Sequence, residues 1–140
     1  MLSRLKELAR QAAGDGPDHF RFIQLPLNLE MPEAFSASNQ KVDGHLCSTL
    51  SATNSLGIYP VISGSIAQGN IKRLSSFQKK KLGDGFSSDA QRALNITRSA
   101  PGIACALIGM KQTAHIEENL KLCSFPLLEP DIFEVLMRNG

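Results

Sequence analysis

The sequence predicts an α/β fold built on a short parallel sheet. One helix comes first, then strand and helix alternate three times, and a further helix closes the order, which is typical of parallel strands joined by crossover helices. The strand segments are short apolar runs, whereas the helical segments repeat apolar residues every three or four positions. With 140 residues, 42% of them hydrophobic, the chain can bury a core and is treated as a single domain over 1–140.

The first half contains a predicted helix over 2–13, because leucines recur every third residue and Gly14 suits the left-handed C-cap position. The segment HFRFIQLPLNL predicts a buried strand that ends at Pro26. The following segment, EMPEAFSASNQKVDG, is polar and expected to be irregular, and a weak helix is expected near 45–55. The apolar segment GIYPVIS predicts a second strand over 57–63, buried on both faces.

The second half begins with a long connection over 64–87, which holds glycines and a lysine run. A helix is predicted over 89–99, with Ser87 or Ser88 as its N-cap. The segment IACALI predicts a third strand over 103–108, after a proline–glycine turn. Helices are predicted over 112–123 and over 130–138, the second beginning at a proline, which is favourable in a first turn.

Composition excludes several classes of protein. A net charge of +2 does not favour a nucleic-acid-binding protein, and the run Lys79–Lys81 is expected to be a solvated loop, with a phosphate contact left open. The three cysteines lack the spacing of a zinc site or a disulfide framework, so reduced thiols are expected. No apolar run approaches the ~20 residues of a membrane span, and Glu7 disfavours a transit peptide. A soluble cytoplasmic protein is therefore expected.

Polar residues follow each predicted strand, at the edge where parallel β/α folds bind ligands. They are Gln24 and Asn28 around the end of the first strand, 63–68 at the end of the second, and 109–112 after the third. The segment GSIAQG resembles the start of a phosphate-binding loop, but Asn70 stands where that loop needs lysine, which excludes a nucleoside-triphosphate site of this kind. Its glycines still allow a ligand to approach the backbone, with plain turn formation as the alternative.

The joint after the third strand is the best candidate for an anion site. Gly109 permits close approach, Lys111 supplies a mobile cation, and the helix that follows contributes free N–H groups and a positive dipole end. His115 lies one turn into that helix, with Glu118 and Asn119 three and four residues later on the same face. This set could hold a phosphate and an adenine together, although a capped, charged helix surface remains the alternative.

Catalysis by the chain's own side chains has little support. No GxSxG nucleophile motif is present, and the histidines at 19, 45 and 115 lie in unrelated contexts. Glu117 and Glu118 are adjacent on a predicted helix and point to different sides, so they do not form an acid/base pair.

Four segments resemble consecutive parts of the aldo/keto reductase family. FIQLPLNL resembles the family's sixth strand, and GIYPVISGSIAQGNI its seventh strand with the following loop. QRALNITRSAPGIACALIGM is similar to the seventh helix leading into the eighth strand, and ALIGMKQTAHIEENL to the last strand–helix joint. The resemblance spans essentially the whole chain. It implies the C-terminal part of a (β/α)8 TIM-type barrel, with three parallel strands and flanking helices.

The same resemblance implies an NADP(H) cofactor lying extended across the C-terminal face of the barrel. The residues implied to contact it are Gln24 at the nicotinamide carboxamide, Ser63, Ser65, Ile66 and Gln68 along the nicotinamide and pyrophosphate, Lys111, Gln112 and His115 at the 2′-phosphate, and Glu118 and Asn119 at the adenine. Two positions depart from the family pattern. Ser63 replaces a common aromatic residue, and His115 replaces a common arginine, so the phosphate contact is expected to be weaker.

The resemblance also implies that the catalytic residues are missing from these 140 residues. The family's aspartate, tyrosine, lysine and histidine come from its first four strands, whereas the chain matches strands six to eight of a barrel that needs ~250 residues. Tyr59 lies inside the seventh-strand match, so it is not the proton donor. We expect a truncated or split NADP(H)-dependent reductase segment that is inactive alone, or alternatively a non-catalytic nucleotide-binding or protein-interaction module, or an unrelated β/α domain.

Such a segment leaves strand edges and an apolar barrel lining uncovered. The expected partners are therefore a nicotinamide dinucleotide and either a chain that supplies the rest of the barrel or further copies of this chain, with no nucleic acid and no membrane. In isolation the chain is expected to be a poorly soluble monomer or an oligomer.

Overall fold

A computed structural model describes residues 1–71 and 73–138 and shows an α/β fold with helices flanking a three-stranded parallel sheet. The helices are α1 (Leu2–Ala13), α2 (Glu33–Ser36), α3 (Thr49–Leu56), α4 (Ser76–Leu82), α5 (Asp89–Arg98), α6 (Thr113–Leu120) and α7 (Pro130–Arg138). The strands are β1 (Phe22–Pro26), β2 (Gln40–Val42), β3 (His45–Cys47), β4 (Tyr59–Ser63) and β5 (Cys105–Ala106). Short 3₁₀ turns cover Ala67–Gly69 and Lys121–Ser124.

The parallel sheet has the order β1-β4-β5, which confirms the predicted parallel arrangement of the three strands. β1 and β4 pair over five residues, from Phe22 opposite Tyr59 to Pro26 opposite Ser63. β5 is much shorter than the predicted strand over 103–108, because only two of its residues pair with β4. Ile103 and Ala104 of that apolar segment precede β5, and Leu107 and Ile108 follow it in the loop before α6.

One face of the sheet is buried under the helices. Its central side chain is Ile62, which is fully buried, and Leu50 of α3 and Ile96 of α5 belong to the same cluster. Phe133 and Leu136 of α7 also belong to this cluster, so the last helix is part of the core. The predicted bounds of α7 are confirmed, and those of α5 are correct to within one residue.

The opposite face of the sheet has no covering layer within the described residues. Phe22 is 62% exposed and Tyr59 is 52% exposed, and their rings lie 5.7 Å apart. Leu107, two residues beyond Cys105 and therefore on the same face, is 45% exposed. The prediction that the second strand is buried on both faces is thus wrong. We call the surface formed by Phe22, Tyr59, Val61 and Leu107 the uncovered sheet face.

A β-hairpin follows β1 in the region predicted to be irregular. β2 and β3 pair in antiparallel fashion around Asp43 and Gly44, whose φ angles of 49° and 86° are those that a two-residue hairpin turn requires. The weak helix predicted near 45–55 begins only at Thr49. Ser48 is its N-cap, since the hydroxyl oxygen accepts a hydrogen bond from the N–H of Ser51.

The lysine run lies in a helix, α4, so the prediction of a solvated loop is wrong. The helix begins at a capping box in which Ser75 and Gln78 each accept a hydrogen bond from the other's backbone N–H. The ammonium group of Lys79 lies 2.9 Å from the Asp89 carboxylate, which anchors α4 to the start of α5. Lys80, in the middle of the lysine run, is exposed to solvent.

The first helix has the predicted bounds, and Gly14 follows it with a φ of 57°. Lys6 of this helix is buried, which is unusual for a lysine. Its ammonium group donates to the Asp18 carboxylate at 2.7 Å and to the carbonyl of Phe20 at 3.1 Å. The hydrogen bond from Lys6 lowers the pKa of Asp18 below its usual value. No helix in the described residues is long and apolar enough to cross a membrane.

Candidate functional site

The loops that follow β4 and β5 enclose a cavity of about 380 Å³ at the carboxyl edge of the sheet. Its lining includes residues from the two loops, namely Gly64, Ser65, Ile66, Gln68, Leu107 and Gly109. Ser65, Ile66, Gln68 and Gly109 were all predicted from the sequence as ligand contacts. The structure therefore brings together two predicted segments that are about forty residues apart in the sequence.

Ser65 joins the two loops. Its hydroxyl donates to the carbonyl of Leu107 at 2.7 Å, and its own carbonyl accepts a hydrogen bond from the Thr97 hydroxyl at 3.2 Å. Ser65 can be buried because these two hydrogen bonds satisfy its hydroxyl and its carbonyl. Its hydroxyl thus fixes the shape of the cavity, whereas the prediction had placed it as a direct contact.

The loop after β4 has an unusual backbone. Ala67 and Gln68 have φ angles of 47° and 56°, a region that residues other than glycine seldom occupy. Such conformations persist only where the surroundings hold them, and they are frequent at ligand sites. Here the N–H of Ala67 donates to the carbonyl of Gly64, and the amide side chain of Asn28 donates to that same carbonyl at 2.7 Å. Asn28 thereby connects the end of β1 to the cavity loop.

Two further predicted contacts lie on the uncovered sheet face. Ser63 is half-buried and directly precedes Gly64 of the cavity, opposite Pro26 in the strand register. Gln24 is exposed and lies one side-chain row below, about 7 Å along the strand. Ser63 and Gln24 thus lie on the sheet below the cavity, and neither is part of its lining.

A second cavity of about 240 Å³ adjoins the first, since Ile108 contributes to both. Its lining is mainly apolar, with Met110 and Leu120 at the exposed side and the amide of Asn119 among the polar groups. A pocket of this character suits a flat ring with a few polar edges. Asn119 is therefore the predicted adenine contact that the structure places in a cavity.

The predicted phosphate contacts lie at the exposed beginning of α6. Lys111, Gln112 and His115 are all exposed, and Gln112 occupies the N-cap position without a side-chain hydrogen bond to the helix. Gly109 lines the first cavity and Met110 lines the second, so Lys111 follows directly after the point where the cavities adjoin. Lys111 itself is part of neither lining.

Glu118 has a different environment from the one predicted. Its carboxylate accepts a hydrogen bond from the Ser88 hydroxyl, and its carbonyl accepts one from the amide of Gln91 at 2.7 Å. Glu118 is therefore attached to α5 rather than directed into either cavity. Ser88 was predicted as a possible N-cap, but the sequence carries no signal that it and Gln91 also bind α6.

Arg98 is a further residue that the sequence did not single out. It lines the second cavity, and its guanidinium donates to the Asn95 side chain at 2.9 Å and to the carbonyl of Phe125 at 2.6 Å. Burial lowers the pKa of Arg98, although a guanidinium remains charged at neutral pH. The residue thus holds the chain after α6 in place and puts a positive charge at the wall of this cavity.

Comparisons of the chain with family models, with curated proteins and with solved structures give no match. Cys47, Cys105 and Cys123 are free thiols, and the described residues contain no group of three side chains suited to hold a metal ion. The geometry of the two cavities is therefore the main basis for a functional assignment.

Proposed function

We propose that the chain carries the cofactor-binding half of an NADP(H)-dependent reductase site similar to that of the aldo/keto reductases. The observation that supports this most is the cavity at the carboxyl edge of the sheet, formed by the two loops whose sequences resemble that family. Its residues Ser65, Ile66, Gln68 and Gly109 coincide with the implied cofactor contacts.

The arrangement fits the parts of a dinucleotide. The cavity of about 380 Å³, with glycines and backbone close to its surface, accommodates the pyrophosphate and its neighbours. The mainly apolar cavity of about 240 Å³, with the Asn119 amide, accommodates the adenine. Lys111 then faces the 2′-phosphate that distinguishes NADP from NAD, because it follows the residues at which the cavities adjoin. On this proposal, the uncovered sheet face lines the interior of the barrel, and Gln24 lies on that face toward the nicotinamide.

A bound nicotinamide would supply the hydride for reduction of a carbonyl group, and the residues of this chain would bind and orient it. The reaction also needs an acid that protonates the carbonyl oxygen. Tyr59 is unsuitable, because it begins β4 and lies four residues, about 13 Å, from the carboxyl end of that strand. We propose that the acid comes from polypeptide outside these 140 residues, so that this segment alone is inactive.

The uncovered sheet face favours a second candidate function, a module that binds another polypeptide. Phe22, Tyr59 and Leu107 form an apolar surface, and β1 pairs on one side only within the described residues. Further barrel strands or additional copies of the chain would cover it. The isolated chain should therefore self-associate in size-exclusion chromatography, and a sharp monomer peak with cooperative melting would contradict this.

Calorimetric titration with NADPH and NADH tests the cofactor assignment. If Lys111 contacts the 2′-phosphate, NADPH binds more tightly by about 1–3 kcal/mol, as expected for a charge-assisted hydrogen bond. Equal affinities would exclude this contact, and the absence of heat with both nucleotides at two well-separated temperatures would exclude the cofactor site. An aldehyde reduction assay tests the proposal that the acid is supplied from outside. Activity should be absent with this chain alone and should require an added polypeptide that supplies strands one to five of an aldo/keto reductase barrel.

A further inference from the structure

Helix α6 has no buried residue, although it carries or directly follows the proposed contacts to the adenosine end of the cofactor. Its two large apolar side chains, Ile116 and Leu120, are 36% and 59% exposed. Most helices are held in a domain by burial of an apolar face. The apolar anchor of this segment lies just beyond the helix, where Leu122 is buried in one cluster with Leu94 of α5, so α6 itself needs other contacts to stay beside α5.

The helix is held by hydrogen bonds from the beginning of α5. Gln91, 1% exposed, donates from its side-chain amide to the carbonyl of Glu118 and accepts a hydrogen bond from the N–H of Ser87 at 2.8 Å. The Ser88 hydroxyl donates to the Glu118 carboxylate and accepts a hydrogen bond from the N–H of Gln91 at 3.1 Å. We call these four residues the α5–α6 clamp.

We propose that Gln91 is a positioning residue that, through the α5–α6 clamp, holds α6 in the conformation that binds the adenosine end of the dinucleotide. This inference rests on the proposed function. Leu122 fixes only the end of this segment, and no residue within α6 is buried, so loss of the clamp frees the helix from its contacts with the beginning of α5. The apparent Kd rises in inverse proportion to the fraction of molecules with α6 docked.

The Gln91→Met variant tests the proposal, because methionine preserves the length and approximate volume of the side chain while removing both hydrogen bonds. Gln78→Met is the matched control. Gln78 is also a buried glutamine, 4% exposed, but its hydrogen bond is to the N–H of Ser75 within the start of α4. A Ser88→Gly variant breaks the bond to the Glu118 carboxylate separately, since glycine is an acceptable N-cap.

If the docked fraction falls to about a tenth in Gln91→Met, amide hydrogen exchange of residues 113–120 should become at least about ninefold faster, because the undocked fraction rises from below about a tenth to about nine tenths. The Kd for NADPH should then rise about tenfold, and the preference for NADPH over NADH should shrink because Lys111 is no longer positioned. Ser88→Gly should change both quantities in the same direction by less. Gln78→Met should change neither, even if it lowers the melting temperature.

Unchanged exchange over 113–120 in a folded Gln91→Met protein would overturn the proposal, whatever the nucleotide affinities are. If that variant does not fold, unchanged exchange and affinity in Ser88→Gly would overturn it. Faster exchange with an unchanged Kd would show that the clamp holds α6 but does not set affinity, which also overturns the proposal. If the wild-type chain binds neither nucleotide, the proposed function fails, and the exchange result still decides whether the clamp holds α6.

Discussion

Replacing Ser65 with alanine should weaken the connection between the two cavity loops. The change removes one hydroxyl, which is buried and donates to the carbonyl of Leu107 at 2.7 Å. A typical hydrogen bond contributes about 1 kcal/mol to stability, and a buried partner left unsatisfied costs about 1–3 kcal/mol. We therefore expect the free energy of unfolding to fall by about 1–2 kcal/mol, and NADPH binding to weaken as the cavity loses its fixed shape.

Urea unfolding followed by circular dichroism measures the first effect, as a lower midpoint at an unchanged slope. Ser36→Ala is the matched control, because Ser36 is exposed and its hydroxyl donates to the carbonyl of Pro32, four residues earlier. The control should change stability by no more than about 0.5 kcal/mol. Equal effects of the two substitutions would refute the claim that Ser65 joins the loops.

Three further predictions concern charge and exposure. Lys111→Met should weaken NADPH by about 1–3 kcal/mol in calorimetry and leave NADH unchanged; an equal loss for both nucleotides would contradict a 2′-phosphate contact. Burial raises the pKa of Asp89, but the hydrogen bonds that its carboxylate accepts, first from Lys79, lower the pKa overall. The ionised carboxylate therefore stabilises the fold above a pH of about 3.9, and this contribution is lost as the pH falls further. Asp89→Asn should thus cost about 1–2 kcal/mol in urea unfolding at pH 7 and much less at pH 3, whereas a cost independent of pH would exclude an ionic origin. Phe22→Ser should raise the monomer fraction in sedimentation, and an unchanged fraction would show that the uncovered sheet face does not drive association.

The long elements could be predicted from the sequence because their signals are local. Apolar periodicity and end signals suffice for α1, α5 and α7, and the apolar runs before Pro26 and after Gly57 suffice for β1 and β4. The hairpin was missed because three-residue strands show no periodicity, although the Asp43–Gly44 pair was a usable signal. Helix α4 was missed although its capping-box residues, a serine and a glutamine three positions later, stand in the sequence.

The candidate site was predictable only in part. Position at the carboxyl end of a strand is a local property, so the sequence could indicate the cavity segments around Ser65 and Gly109. The partner of a given side chain is a property of tertiary structure. No spacing rule reveals that Gln91 bonds Glu118, or that Lys6 is buried against Asp18, since these pairs form only once the helices have packed.

The most direct test of the central claim is amide hydrogen exchange of the wild-type chain with and without saturating NADPH. The account predicts slower exchange over 64–69 and over 107–120, the two segments that enclose the cavities, and little change in the β2–β3 hairpin, which lies outside both. Protection confined to other regions, or no protection at all, would contradict the claim that these loops bind a nicotinamide dinucleotide.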